Sequence, residues 1–352
     1  MSDSQHAAST LDARERSDRQ GTNRALLLLA IVALALIALI ALCAGPFAAS
    51  PAQVADVVWS RLLGHPVAGI ADEIVWRIRM PRVALCVLVG GALSASGAAF
   101  QHLFRNPLVA PETLGVSTGG ALGAAIAITL GAGALVLQIA AFAGGLLAVA
   151  AVVFIARRLT GHEPLVTLIL TGVVVASLLG AAISLIKFIA DPYNQLPAIT
   201  FWLMGSFAAA KATDVVAMLP AALMAAILLG ALAWRINLLA LPDDEARALG
   251  ANTPRLRGVV ILAATLASAA SVAVSGIIGW VGLVVPHIAR VLVGPDFSRL
   301  WPLAAVLGAI FMLAIDTLAR TLLPVEIPPG VLTAFVGTPV FIALLARTGR
   351  EA

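Results

Sequence analysis

The feature that most constrains this chain is a series of long apolar segments that carry almost no charge. The first, ALLLLAIVALALIALIALCAG, starts at Ala25 and contains no charged residue. Hydrophobic residues make up 61% of the 352 residues and charged residues only 11%, against about 25% charged in an ordinary soluble domain. A soluble core of this length cannot cover so much apolar surface, so the segments are predicted to cross a membrane. The runs are continuous rather than alternating, which excludes a β-barrel.

The fold class is therefore an all-α polytopic membrane protein. The first apolar segment resembles a signal-peptide core, but it exceeds the usual length of about 7–15 residues, and we interpret it as a retained helix. Residues 1–24 are predicted to be a disordered cytoplasmic tail, 25–346 the transmembrane domain and 347–352 a cytoplasmic tail. Hydropathy places ten spans near 25–45, 82–103, 114–132, 134–156, 164–188, 213–234, 258–275, 278–292, 302–322 and 328–346.

Arginines predict the orientation of these spans. Most of them lie in loops on the side of the amino terminus, which predicts that both termini are cytoplasmic. The net charge of +4 follows from this topology, so no nucleic-acid partner is predicted. The cluster WRIRMPR at 76–82 is predicted to lie on the opposite side, contrary to the rule that basic residues concentrate in cytoplasmic loops. This exception indicates a specific function for the cluster. The glycine-rich stretches LGVSTGGALGA and AGALVLQIAAFAGG favour close helix packing in lipid.

The sequence offers no machinery for ATP hydrolysis. The phosphate loop G-x-x-x-x-G-K-S/T is absent, and neither of the two lysines, Lys187 and Lys211, follows a glycine. The five histidines are far apart and predict no metal site. The chain is thus predicted not to be an enzyme and to bind no cofactor directly, so energy for any active process comes from a partner or an ion gradient.

A compact charged motif, LLALPDDEARALGANTPRLRG at 238–258, interrupts the apolar chain. Pro242 suits a first helical position, the three acids that follow it complement the helix dipole, and Gly250 suits the stop. A second helix start follows, with Asn252 or Thr253 as cap and Pro254 next. Leu241, Ala246 and Leu249 leave one apolar face. We interpret the motif as two short helices that dock a cytoplasmic partner; the alternative is a loop that only caps its own helices.

Three further stretches resemble a known family. They are RMPRVALCVLVGGALSASGAAFQHLFRNPLVAPETLGVSTGGALGA (79–124), FWLMGSF (201–207), and SGIIGWVGLVVPHIARVLVG (275–294) with DTLARTLLPVEIPPGVLTAFVGTPVFIALL (316–345). Together they resemble FecCD-type permeases of binding-protein-dependent ABC importers. The resemblance covers essentially the whole chain beyond residue 25.

The resemblance implies a fold and partners. Family members have ten spans in two inverted-repeat halves, form homodimers in the inner membrane, and pair with two cytoplasmic ATPase subunits, which use the ATP, and a periplasmic binding protein. They take up iron–siderophore complexes, haem, cobalamin and related chelates. Iron–siderophore is expected here on family frequency, while haem, cobalamin and molybdate stay open.

The resemblance also implies site residues. The segment 238–257 corresponds to the coupling helices that seat in the ATPase. The implied coupling residues are Pro242, Asp243, Asp244, Glu245, Arg247, Leu249, Gly250 and Arg255. The implied cytoplasmic gate is Leu165, Val166 and Thr167, at the start of the fifth span, although the first two are more apolar than the family's small polar gate residues.

The binding protein is expected to dock on Arg79, Arg82 and Arg320. Guanidinium groups suit bidentate pairing with carboxylates, which supports this role. Arg320 has a rival partner in Asp316, one helical turn back, and Glu326 is another candidate.

An ion-gradient-driven secondary transporter is the alternative from a different class. It typically carries ionisable groups near the middle of the membrane. His287, beside Pro286, is the best candidate for such a proton site, and its other interpretation is a polar contact at a proline kink.

Overall fold

A computed structural model describes residues 2–45, 47, 49–65, 69–159 and 164–351, with the side chains of 2–20, 345 and 347–351 left out. Within these ranges the chain forms helices joined by turns and short irregular segments. In chain order the helices are α1 Ser2–Cys43, α2 Pro51–Leu62, α3 Ile70–Leu103, α4 Val116–Thr129, α5 Ala134–Arg158, α6 Pro164–Ile189, α7 Gln195–Leu203, α8 Ala212–Ala231, α9 Ala233–Asn237, α10 Asp243–Ala248, α11 Thr253–Ser275, α12 Val281–Val293, α13 Phe297–Ala319 and α14 Pro329–Glu351.

The predicted class, an all-helical membrane protein, is confirmed. Among the described residues, seven helices are long and apolar enough to cross a membrane, and three shorter apolar helices accompany them. These ten correspond one for one to the predicted spans. The shorter helices are α4, α12 and the apolar part of α14. Four of the described helices fall outside the predicted spans, namely α2, α7, α9 and α10, because each is too short to register as a span. Of these, α10 lies in the charged motif for which short helices are predicted.

The amino-terminal segment differs from its prediction. Where the sequence predicts a disordered tail over 1–24, helix α1 runs without a break from Ser2 to Cys43. An apolar span already supplies the helix nucleus, and extending it adds one hydrogen bond for each residue fixed. Of the predicted carboxyl-terminal tail, residues 347–351 form the end of α14, which runs to Glu351, and residue 352 lies outside the described residues.

Helix α3 lies at the centre of the bundle, packed against α11, α12 and α13. In its most apolar window 72% of the residues are buried, against 67% for α11 and only 11% for α1 and 17% for α6 and α8. A helix that leaves most of an apolar surface uncovered is stable only against lipid or a partner helix. The bundle therefore has a core of buried helices and a rim of helices with exposed apolar faces.

Small residues allow the central helices to touch through their backbones. A Cβ atom added at Gly97 of α3 would lie 1.8 Å from the carbonyl oxygen of Gly282 in α12, and one at Gly90 would lie 2.3 Å from that of Gly308 in α13. In lipid, where the hydrophobic effect does not drive helices together, such close contacts provide packing energy.

The glycine-rich stretches behave as the sequence predicts. A Cβ atom at Gly119 of α4 would lie 2.4 Å from the carbonyl oxygen of Gly144 in α5, and one at Gly123 would lie 2.1 Å from that of Ala140. Helices α4 and α5 thus pack with their backbones in contact.

We expect Gly97→Ala to destabilise the protein by about 1–3 kcal/mol or more, because the new methyl group overlaps the Gly282 carbonyl. The matched control is Gly180→Ala in α6, where nothing lies within 4 Å of the added Cβ atom. This second change is expected to stabilise the helix by about 0.5–1 kcal/mol, since alanine is a better helix former. Thermal unfolding in detergent measures both, and equal stability of the two variants would contradict the close contact.

Candidate functional site

The charged motif folds as a short helix outside the spans, followed directly by a long one. Pro242 is the N-cap residue of α10, Asp243, Asp244 and Glu245 fill its first turn, and the chain leaves it through Gly250 at a φ of +82°. The three acids lie where the dipole attracts negative charge, and glycine tolerates the left-handed exit.

The predicted second helix start is confirmed, but it does not begin a separate short helix. Asn252 caps α11, and its side-chain oxygen accepts a hydrogen bond from the Arg255 amide at 3.2 Å. Helix α11 then continues to Ser275 without a break, because no stop signal follows Pro254 before the apolar residues begin. The pair of short helices predicted over 238–257 is therefore one short helix, α10, and the first turn of a span.

The predicted coupling residues divide into exposed and tethered ones. The Asp244 side chain is 99% exposed and that of Arg247 58% exposed, and Leu249 is exposed as well. Ala246, by contrast, is fully buried. The predicted apolar face is thus split, with Ala246 against the protein and Leu249 towards the surroundings. Pro242, Glu245, Gly250 and Arg255 are also exposed.

Asp243 differs from the two acids that follow it. Its Oδ1 accepts a hydrogen bond from Arg257 Nη2 at 2.5 Å and lies 3.7 Å from Nη2 of Arg105. The carboxylate therefore ties α10 to the first turns of α11 and to the loop after α3. Sequence reasoning grouped the three acids as one surface, because their pattern alone does not distinguish the acid that turns inward.

The three predicted docking arginines lie at the opposite end of α3 and are buried. Arg79 donates hydrogen bonds to the carbonyl oxygens of Leu42, at 2.7 Å, of Cys43, at 3.0 Å, and of Phe47. It thereby binds the end of α1, where the last carbonyls of a helix have no partner inside the helix.

Arg320 binds the same helix end from the other side. It donates hydrogen bonds to the carbonyl oxygens of Ala41 and Ala44, the latter at 2.6 Å. Its Nε lies 3.4 Å from Oδ2 of Asp316, so the ion pair that the sequence offered as a rival to docking is present.

Arg82 forms a fork between two carboxylates. Its Nη2 donates to Oδ1 of Asp316 at 2.8 Å, and its Nη1 donates to Oε1 of Glu326 at 2.9 Å. Asp316 is fully buried, whereas the Glu326 side chain is 44% exposed. The charge of Arg82 is therefore compensated within the chain. Docking of a binding protein by these arginines stays a prediction, and this arrangement presents no exposed guanidinium among the three.

The predicted gate residues occupy the first turn of α6. Val166 is half-exposed, and Leu165 packs against the core. The backbone carbonyl of Thr167 accepts a hydrogen bond from the Thr171 hydroxyl at 2.7 Å. The loop before the helix, residues 160–163, lies outside the described residues, so the gate role stays a prediction.

A cavity of about 750 Å³ opens between the end of α7, the segment before α12 and α14. Sequence reasoning did not predict this cavity. One of its lining residues, Trp280, has a left-handed φ of +71°. The indole packs edge-on against Phe341, with ring centroids 6.2 Å apart. The lining residues are Leu203, Met204, Ile277, Gly279, Trp280, Gly330, Val331, Ala334, Phe335, Thr338 and Pro339.

His287 is the candidate proton site of the alternative class. It is buried in α12 beside Pro286, and neither ring nitrogen has a hydrogen-bond partner in the described part of the chain. The polar contact that the sequence predicts at this kink is therefore not found there. Across the described residues, no group of three or more His, Cys, Asp or Glu side chains could hold a metal ion.

Comparison with known proteins gives consistent matches over most of the chain. The model of the FecCD transport family matches residues 31–347. The chain is 37% identical to the molybdate import system permease protein MolB of Haemophilus influenzae, over 87% of this chain and 90% of that protein. It is 41% identical to the hemin transport system permease protein HmuU of Yersinia pestis, over 78% and 83%.

A solved structure, described as an inward-facing conformation of a metal-chelate type ABC transporter, has the same fold. It superposes with a TM-score of 0.83 at 35% identity, and the match covers 92% of this chain and 99% of that one.

We expect Asp316→Asn to destabilise the protein by about 3–5 kcal/mol, because it leaves buried Arg82 and Arg320 without their shared carboxylate. The control is Glu73→Gln, whose pair with Arg77 at 3.2 Å is exposed on both sides and contributes about 0–1 kcal/mol. Thermal unfolding of the purified variants distinguishes them. A loss no larger than that of the control would contradict a structural role for the buried carboxylate.

Proposed function

Because this chain belongs to the FecCD transport family and is a permease of the ABC importer class, we propose that it carries an iron chelate of the siderophore type across the inner membrane. ATP hydrolysis in a separate cytoplasmic subunit drives the movement. The observation that carries this proposal is the exposed helix α10, a charged surface with one exposed leucine between apolar spans.

The partner that hydrolyses ATP docks on this surface. Asp244, Glu245 and Arg247 offer charge, and Leu249, the C-cap residue of α10, offers an exposed apolar contact, a combination found at protein interfaces. The sequence supplies no phosphate loop of its own, which supports a separate ATPase. Two ATPase subunits serve a homodimer of this chain, with both termini and α10 on the cytoplasmic side.

A periplasmic binding protein docks at the opposite end of the bundle. Two features support this location. The arginine cluster of Arg79, Arg82 and Arg320 is at the other end of α3 from the α10 surface, and Glu326 beside it is partly exposed. The arginines themselves are buried, so direct contact with them requires Glu326 or the adjacent chain to move aside.

The apolar cavity forms one wall of the translocation pathway, and Leu165, Val166 and Thr167 form the cytoplasmic gate. Among the described residues that line the cavity, none carries a charged side chain, and Trp280 and Phe335 contribute aromatic surface. Such a wall suits a cargo wrapped in organic surface and lets it pass without strong binding. Among the described lining residues, the side-chain donors are the Thr338 hydroxyl and the Trp280 indole N–H, so a bare oxyanion finds few donors and no positive charge there. Haem and cobalamin also have a largely organic surface and stay alternative cargoes. The similarity to MolB keeps molybdate as a further alternative.

An ion-gradient-driven transporter is the candidate from another class, and energy supply distinguishes the two. The chain is reconstituted in vesicles with its ATPase and binding protein, and uptake of a ferric siderophore is measured. We expect uptake only with ATP on the ATPase side, because the chain has no phosphate loop. Uptake in ATP-depleted vesicles under an ion gradient would contradict the proposal, and competition by haem, cobalamin or molybdate identifies the cargo.

Charge reversal tests the docking surface. Asp244→Lys with Glu245→Lys is expected to weaken binding of the ATPase by at least about tenfold, since like charges placed at an interface are strongly unfavourable. Asp243 is left intact because it ties α10 to the bundle. Glu73→Lys, an exposed acid at the opposite end of α3, is the control. Co-purification of the ATPase measures the effect, and undiminished binding would remove α10 from the interface.

A further inference from the structure

The end of α3 contains an arginine in a conformation that normally belongs to glycine. Arg105 follows the C-cap residue Phe104 and has a φ of +51°. Its amide donates to the His102 carbonyl at 3.3 Å, and the next amide, of Asn106, donates to the Gln101 carbonyl at 3.1 Å. This pair of bonds is the Schellman motif, in which the left-handed position is usually glycine because a Cβ atom is unfavourable there.

The side chain of Arg105 makes contacts that glycine cannot make. Its Nε donates to the Leu239 carbonyl at 2.8 Å, and its Nη2 donates to the Leu241 carbonyl and lies 3.7 Å from the Asp243 carboxylate. These three groups belong to every second residue from 239 to 243, just before α10 and at its first residue. A strained backbone that persists where an unstrained residue exists indicates that the side chain is needed.

We propose that Arg105 is a positioning residue that joins the central helix to the coupling segment, so that movement of α10 reaches α3. This inference rests on the proposed function and deepens it. The planar guanidinium holds two carbonyls and a carboxylate at once, which a lysine ammonium on a flexible chain does not reproduce. The same helix carries Arg82 towards its other end. A displacement of α3 at Arg105 therefore also moves Arg82 and its buried pair with Asp316.

Other contacts keep α10 folded when Arg105 is changed. Arg257 holds Asp243, and Asn237 donates to Oδ1 of Asp296 at 2.8 Å, which fixes the end of α9 against α13. Loss of the Arg105 side chain therefore leaves the ATPase surface in place and removes the guanidinium contacts that connect the end of α3 to Leu239, Leu241 and Asp243. This separation makes the role of Arg105 measurable.

The test compares Arg105→Gly with Arg105→Ala in the full-length chain. Glycine relieves the backbone strain and alanine retains it, while both remove the guanidinium. An equal effect of the two substitutions is therefore due to loss of the side chain. Arg77→Ala is the control, because within the described residues this exposed arginine pairs at 3.2 Å with Glu73, near the opposite end of α3 from 238–250. The first measurement is hydrogen–deuterium exchange of the amides of 238–250 in the detergent-purified chain.

We expect exchange in 238–250 to accelerate by on the order of tenfold in both Arg105 variants and to be unchanged in the control, since two charge-assisted hydrogen bonds are lost. Unchanged exchange would overturn the proposal that Arg105 holds the segment 238–250, whatever the transport activity is. The second measurement is cargo transported per ATP hydrolysed in the reconstituted complex. This ratio is expected to fall severalfold or more in both variants, with bound ATPase unchanged.

A merely structural role lowers transport and hydrolysis together and leaves their ratio constant, which would overturn the positioning role. If the wild-type complex shows no ATP-driven uptake, the proposed function fails, and the exchange measurement still decides whether Arg105 holds the segment.

Discussion

The structure depends on the places where helix α3 has no side chain. At Gly90 and Gly97 its backbone lies against the carbonyls of α13 and α12, closer than any Cβ atom permits. In a membrane the apolar residues of a helix are as well accommodated by lipid as by protein, so burial alone does not gather helices. Contact between backbones holds the helices together, because it gains dispersion energy and allows Cα–H groups to contact carbonyl oxygens.

Once α3 is central, both polar ends of the bundle are organised around it. At one end Arg82 and Asp316 form a buried ion pair, in which each charge compensates the other in place of solvation by water. At the other end Arg105 and Asp243 connect the helix to the exposed segment of α10. Helix α3 runs from one of these polar ends to the other and therefore connects them.

Local sequence was sufficient for the elements whose determinants are local. Ten apolar runs predicted the ten apolar helices, and proline, asparagine and glycine predicted the start and end of the segment around α10. The contacts between helices were not readable in this way. Nothing near Arg79 in the chain indicates that its partners are the carbonyls that end α1, and nothing near Arg105 indicates Leu239. The burial of the docking arginines and the inward turn of Asp243 depend on residues distant in sequence.

The fork on Arg82 has a consequence for any protein that approaches this end of the bundle. Of its two carboxylates, Asp316 is enclosed and Glu326 is partly open to the surroundings. An incoming acidic group reaches Arg82 only by substituting for Glu326, which is an exchange of one anion for another. Such an exchange changes the local net charge little, so the affinity of the encounter depends less on ionic strength than that of a partner meeting bare arginines. The carboxylate of Glu326, once released from Arg82, is then free to pair with a basic group of the approaching protein.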